Sequence, residues 1–328
     1  MSKSKSYIGI DIGGTKIAGG VVDPRGEILH RLKRPTNASE GGPAVMSRVA
    51  DLAADLLSAA PGEVDGIGVA TGGQVHPETG VVLHATPLLP GWVGMRIKDI
   101  LEGRFHLPAR VINDATAAAL GEWRFGAARG VSDFVLLTIG TGVGGGIFSD
   151  GKLLRGTLGA AGAIGHMIID CDGRPCNCGS RGCLEAYVSG TAMTDRALAF
   201  AADRHLDAPL VRAIRADRSA GARLLGEAAS DGDQFALAVI REAGEYLGCA
   251  LVSLLNLFNP AMIVIGGSVA EMGELLLAPA REIARKHALR GDRDPVSIAR
   301  AQLGNDAGLL GAASLVWQME GTECTRQP

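Results

Sequence analysis

The chain has 328 residues, room for two ordinary domains, and its 47% apolar and 20% charged content excludes a disordered polymer. Thirty-two Lys and Arg against 35 Asp and Glu leave a formal charge of −3, and aromatics are only 4%, which excludes a general nucleic-acid binder built on basic patches or stacking platforms. Glycine is the outlier at 47 residues, roughly twice the usual share, non-periodic, and expected in short loops where backbone approaches a ligand.

In chain order, Tyr7–Ile12 and Ile17–Asp23 read as strands joined by the turn Gly13-Gly14-Thr15, and Glu27–Lys33 as a third strand after the hairpin turn Pro24-Arg25-Gly26. Helical spacing of Val45, Val49, Leu52, Ala53, Leu56 and Leu57 predicts a helix over Ala44–Ala60, ended by Pro61-Gly62. Val64–Ala70 is a continuous apolar strand of the kind buried on both faces. A short helix over Ile97–Phe105, a buried strand over Ala109–Ile112 and a helix over Ala115–Arg124 follow. The pattern then restarts, with strands Phe134–Ile139 and Val143–Phe148 around Gly140-Thr141-Gly142. Gly159–Gly182 is rich in Gly and Cys and expected to be irregular. Several helices follow, the strongest over Gln234–Leu257, then a strand Met262–Ile265 ending in Gly266-Gly267, a strand Val296–Ala299 and a last helix Ala307–Met319. The strand, glycine turn, strand unit therefore occurs twice, at 7–23 and 134–148, which predicts two similar α/β domains facing a cleft.

No leader is apparent before Tyr7, and no run reaches the ~18–20 uncharged apolar residues that a membrane span needs. The expected location is cytoplasmic, with no membrane partner. In such a compartment, three of the six cysteines lying at 176, 178 and 183 read as metal ligands rather than disulfides.

Five places carry chemistry. At Asp11-Ile12-Gly13-Gly14-Thr15-Lys16 a strand delivers an acid to a turn of small residues. Backbone amides and the Thr15 hydroxyl could reach phosphate oxygens there, Lys16 could add charge, and Asp11 could orient a hydrated Mg²⁺. The alternative is a plain hairpin turn. Gly140-Thr141-Gly142-Val143-Gly144-Gly145-Gly146 repeats the device in the second half, which favours phosphate binding by the pair. Neither turn is a P-loop or a dinucleotide fingerprint, because the spacing differs and both lead into strands. Asn113-Asp114 ends a buried strand, and Asp114 reads either as a helix N-cap or as a general base at the carboxyl end of a sheet. His166, Cys176, Cys178 and Cys183 form an H-x9-C-x-C-x4-C set that suits a closed, structural Zn²⁺ site. Cys171 is a competing ligand, Cys249 and Cys324 are bystanders, and Glu185 follows the set closely. Last, Gly266-Gly267-Ser268 would let a nucleotide approach a helix N-terminus.

Taken together, Asp11-Ile12-Gly13-Gly14-Thr15-Lys16, Asn113-Asp114, the glycine run at 140–146, Gly165-His166, Cys176-x-Cys-x4-Cys183-Leu-Glu185 and Gly266-Gly267 resemble the ROK family of sugar kinases and sugar-responsive repressors, in the family's order from Tyr7 to about Gln318. The resemblance implies an α/β, actin-like ATPase (ribonuclease H-like) fold with two lobes around a central cleft. A small lobe at 1–113 plus 307–328 and a large lobe at 114–306 with a zinc-binding loop are expected. It implies Asp114 as the base for a sugar 6-hydroxyl, with Gly72, Asn113, His166 and Glu185 also on the sugar. It implies Gly13–Thr15 and Gly140–Gly142 on the ATP phosphates, Gly266-Gly267 bordering the nucleotide, and a homodimer using ATP, Mg²⁺ and a structural Zn²⁺. The repressor branch is disfavoured, since a DNA-binding domain would precede the first strand.

Two departures fall on the sugar side. The family's Glu-x-Gly-His reads Ala163-Ile164-Gly165-His166, and the Asn before Pro-Gly-Trp is Leu88. Ala70-Thr71-Gly72-Gly73 also stands where many glucokinases have Pro-Gly. Losing a charged hydrogen bond costs ~1.5–3 kcal/mol, so the sugar or its affinity is altered. The resemblance extends here to the N-acetylmannosamine kinases of enteric bacteria, which also lack that Glu and carry His there. The expected activity is an ATP-dependent hexose kinase, first for glucose, alternatively for N-acetylmannosamine or another N-acetylhexosamine. A catalytically weak sugar sensor is the reading from another class.

Overall fold

In a computed structural model of the chain, residues 5–85, 89–289 and 296–317 are described. Leu88, Cys324 and the end of the expected last helix lie outside them. The elements run β1 (Ser6–Ile12), β2 (Lys16–Val22), β3 (Ile28–Pro35), α1 (Gly42–Ala59), β4 (Val64–Thr71), β5 (Gln74–Val75), β6 (Val82–His84), α2 (Ile97–Phe105), β7 (Ala109–Asn113) and α3 (Asp114–Phe125). Then come β8 (Phe134–Ile139), β9 (Val143–Ser149), β10 (Lys152–Leu153), α4 (Glu185–Val188), α5 (Gly190–Asp203), α6 (Pro209–Ala216), α7 (Gly221–Ser230) and α8 (Gln234–Phe258). The chain closes with β11 (Met262–Gly266), α9 (Glu274–His287), β12 (Ser297–Arg300) and α10 (Ala307–Trp317).

Contacts divide the chain into Met1–Ser132, Gly146–Gly162 and Ala301–Pro328 as one unit, and Asp133–Gly145 with Ala163–Arg300 as the other. The dividing points at 132 and 300 differ from the expected breaks at 113 and 306, because α3 packs against α10 within the first unit.

The first unit is built on a sheet of order β3-β2-β1-β4-β7. β1 pairs antiparallel with β2, and β1, β4 and β7 run parallel. Those central strands are apolar on both faces because both faces are covered. Val45, Val49, Leu52 and Leu56 of α1 recur every three to four residues and are fully buried against one face. Each such side chain contributes about 1.5–3 kcal/mol. The other face takes α10, and here glycines sit inside elements rather than in loops. A Cβ on Gly68 of β4 would strike the Ala312 carbonyl, and one on Gly311 would strike the Ala117 carbonyl of α3. Part of the glycine excess thus lets α10 lie directly on the sheet and on α3, a use the loop-centred expectation missed.

A second five-stranded sheet has the order β10-β9-β8-β11-β12. In the second unit β8, β11 and β12 are parallel, with Leu137 opposite Ile265 and Ile265 opposite Arg300. The long α8 starts at Asp233, whose carboxylate accepts the Ala236 amide at 2.9 Å, and ends at Asn259 with φ 41°, before Pro260. Its apolar stripe, including Val239, Leu247, Leu251 and Leu254, is buried as its period required.

Candidate functional site

The first unit gathers its polar residues at the carboxyl ends of three parallel strands. Register places Ile12 of β1 beside Thr71 of β4, and Thr71 beside Asn113 of β7. Asp11, the turn after Ile12, Gly72, Asn113 and Asp114 therefore leave one edge of the sheet, where ligands bind in such folds.

The turn Gly13-Gly14-Thr15 is closed by Gly13 N donating to Lys16 O at 3.0 Å. Thr36, buried and unnoticed in the sequence, anchors it: its hydroxyl donates to Gly13 O at 2.6 Å and its amide to Thr15 O at 3.0 Å. Gly14, Thr15 and Lys16 are exposed, and a Cβ on Gly14 would meet nothing within 4 Å. The turn is thus rigid at its base and open at its tip.

Asp11 sits below that turn. A Cβ on Gly308 would lie 2.8 Å from its Oδ2, so the start of α10 is cut back to fit it. Burial pushes the Asp11 carboxyl up to about 7, the Asp114 charge adds to this, and Lys16 opposes it. The Asp114 side chain is accessible to solvent, but the dense protein around it also raises its carboxyl, against the lowering effect of the Ala115 amide. Two mutually repelling carboxylates of this kind favour a cation, which is the donor chemistry Mg²⁺ takes.

The N-cap of α3 is Asn113, not Asp114. Asn113 Oδ1 accepts the Thr116 amide at 3.1 Å, while Asp114 occupies the first helical position and its Oδ1 accepts the Ala115 amide at 2.8 Å. Thr116 Oγ1 lies 3.3 Å from the same Asn113 oxygen, and Asn113 Nδ2 donates to Gly73 O at 3.0 Å. The Asn113 side chain also hydrogen-bonds the neighbouring Asp114 carboxylate, which opposes the rise in its pKa. Gly72 lies beside the acid, since a Cβ there would be 3.9 Å from Asp114 Oδ2.

The second unit holds the other glycine turn. Gly140 N donates to Gly142 O at 2.9 Å, and Gly190 N, at the start of α5, donates to Gly140 O at 2.7 Å. Thr191 Oγ1 donates to Thr141 O at 3.0 Å, and Glu185 Oε2 accepts the Val143 amide at 2.8 Å. Gly266 and Gly267 reach the same place. Gly267 has φ 87°, and a Cβ there would run into the Ile139 carbonyl. The segment after Gly267 is a 3₁₀ turn, Ser268–Met272, rather than the expected helix N-terminus. Thr191 and Glu185's hold on the turn were invisible in the sequence, being set by long-range packing.

The sulfur set also assembles. One ligand atom each from His166, Cys176, Cys178 and Cys183 lies within 4.8 Å of the others, and among the described residues Cys171 is not in the group. Cys178 and Cys183 sulfurs are 3.7 Å apart, and Cys176 Sγ is 3.8 Å from His166 Nδ1. Zinc–sulfur bonds of the usual length give tetrahedral edges of about 3.8 Å, so the donors fit Zn²⁺. Burial, then the neighbouring thiols, push the Cys183 thiol up to about 12, and a bound cation reverses that by favouring thiolate. The loop carrying the set is clamped by Tyr187, whose hydroxyl donates to Asp170 at 3.1 Å and accepts the Arg174 amide at 2.9 Å. Ala163 is exposed, with no polar side-chain atom to offer a ligand. Among the described residues no helix is long and apolar enough to cross a membrane.

A sequence profile described as the ROK family matches residues 7–319. The chain is 38% identical to a glucokinase of Halalkalibacterium halodurans over 96% of both proteins. It is 35% identical to an N-acetylmannosamine kinase of Shigella boydii, over 94% of this chain and 97% of that one. Among solved structures it matches a ROK family glucokinase from Streptomyces griseus, in complex with glucose and AMPPNP, at 37% identity and a TM-score of 0.80, covering 95% of this chain and 99% of that one.

Proposed function

The chain belongs to the ROK family and has its actin-like ATPase fold, and from that premise we propose that it is an ATP-dependent hexose kinase phosphorylating the 6-hydroxyl of glucose. The observation that carries this is Asp114, an accessible carboxylate with a raised pKa on the strand edge that also presents Asp11 and the open glycine turn. The similarity to glucokinases over nearly the whole chain supports glucose.

Asp114 takes the proton as the sugar 6-oxygen attacks the γ-phosphorus. The new oxygen–phosphorus bond forms while the bond to the β–γ bridging oxygen breaks, and ADP leaves with that electron pair. A base with a raised pKa is better matched to this proton than an ordinary carboxylate. Asn113, Gly72, His166 and Glu185 complete the sugar contacts. Gly13, Gly14, Thr15 and Lys16 serve the phosphates, and Gly140, Thr141, Gly142, Gly266 and Gly267 serve the nucleotide. Mg²⁺, when bound, neutralises phosphate charge, with Asp11 as the residue that orients it. Zn²⁺ on His166, Cys176, Cys178 and Cys183 holds the loop that presents His166 and Glu185. Family kinship supports a homodimer in the cytoplasm, where ATP is supplied.

The exposed Ala163 favours one second reading, an N-acetylhexosamine kinase such as one for N-acetylmannosamine, because a missing carboxylate leaves room for an acetamido group. Phosphate analysis of the product with glucose, 6-deoxyglucose and N-acetylmannosamine tests both. The proposal expects glucose 6-phosphate and no product from 6-deoxyglucose. Product from the N-acetyl sugar alone would favour the second reading.

A further inference from the structure

Glu185 is expected on the sugar, yet its carboxylate is built into the glycine turn of its own unit. Oε2 accepts the Val143 amide at 2.8 Å. A Cβ on Gly142 would lie only 2.5 Å from that same oxygen, so the glycine and the carboxylate are fitted to one another. Oε1 lies 4.0 Å from Cys176 Sγ. Glu185 is itself fixed: it is half-buried as the first residue of α4, and the preceding Leu184 donates its amide to Met167 O at 2.9 Å.

The turn has a backbone support on one side, Gly190 N to Gly140 O, and this side-chain support on the other. Val143 is the first residue of β9, so fixing its amide fixes where the turn re-enters the sheet. We infer that Glu185 is a positioning residue for the nucleotide's phosphates: by holding Val143 it sets the path of Gly140-Thr141-Gly142. This rests on the ATP-dependent reading of the site and adds a second duty to a residue otherwise assigned to the sugar. The physics has two sides. Charge-assisted bonds from carboxylate to amide are among the stronger ones, which favours a held turn. A carboxylate near phosphate also repels it, so removing Glu185 would tighten nucleotide binding if positioning were unimportant.

Calorimetry of the full chain with a non-hydrolysable ATP analogue and Mg²⁺, without sugar, separates the two. Glu185→Ala should raise the analogue Kd about tenfold or more. Glu185→Gln, whose amide oxygen still accepts from Val143, should stay within about threefold of wild type. Gly142→Ala should weaken binding by its clash with Oε2, and the double variant should show strong non-additivity, because Glu185→Ala removes what the new methyl strikes. Glucose Kd, zinc content and thermal melts are measured on the same proteins. An analogue Kd in Glu185→Ala that is unchanged or lower, with only the glucose Kd raised, would overturn the inference and leave the kinase reading intact. Wild-type protein that neither binds the analogue nor transfers phosphate would overturn both.

Discussion

Asn113 and Gly73 are joined by a 3.0 Å hydrogen bond from the Asn113 side-chain nitrogen to the Gly73 carbonyl, while the other end of the same amide caps α3. One side chain thus ties the end of β7 to the loop that follows β4. Gly73 has φ 98°, and a Cβ there would strike His84, so that loop has little freedom of its own. Asn113→Asp keeps the capping oxygen and loses the donor, while Asn113→Ala loses both. Alanine should cost about 0.5–2 kcal/mol from the lost cap in a denaturant titration, on top of the bond to Gly73 that aspartate also forfeits. Both should raise the sugar Kd about tenfold. Equal stability loss from the two would show that the cap is not what Asn113 supplies.

The Asp11 carboxyl is pushed from 3.8 to about 7, by burial first and by Asp114 next. Folding therefore favours its protonated form. That contribution to stability is whole below 3.8 and is lost as pH rises through about 7. Asp11→Asn removes the titration, so its Tm advantage over the ligand-free wild type should grow between pH 4 and pH 8. Scanning calorimetry across that range checks it, and a pH-independent offset would contradict the burial argument.

Much of this was legible in the sequence. The strands around both glycine turns, the long period of α8 and the H-x9-C-x-C-x4-C spacing each depend on local pattern, and each element formed within a residue or two of its expected bounds. What was not legible depends on partners far along the chain. Asn113 rather than Asp114 caps α3 because Thr116 and Gly73 meet it there. Thr36 anchors the first glycine turn from the end of β3, across the hairpin. The placement of α3 with the first unit follows from Gly121 and Gly311, which let α3 and α10 approach backbone to backbone, and no local window contains both.

Zinc analysis should find about one ion per chain. Its removal by a strong chelator should lower Tm, and Cys183→Ser should do the same while lowering zinc content. Elemental analysis with parallel melts checks this. Full zinc retention by the serine variant would remove Cys183 from the ligand set.

Gly267 combines φ 87° with a carbonyl against its Cβ position. Gly267→Ala should cost more than the ~1–3 kcal/mol of backbone strain alone. Gly14→Ala, at a position with open space, should leave stability nearly unchanged and act on ATP affinity. Denaturant titrations of the two variants, with nucleotide Kd, test the contrast.

The central claim is phosphoryl transfer to a hexose with Asp114 as base. The most direct measurement is ADP release with ATP and Mg²⁺ against glucose, mannose, fructose, N-acetylglucosamine and N-acetylmannosamine, beside Asp114→Asn. The account predicts turnover on glucose, a loss of about 10²–10⁴-fold or more in kcat for the variant, and sugar binding that survives the substitution. Near wild-type turnover by Asp114→Asn, or folded, zinc-loaded protein idle on every sugar, would contradict it.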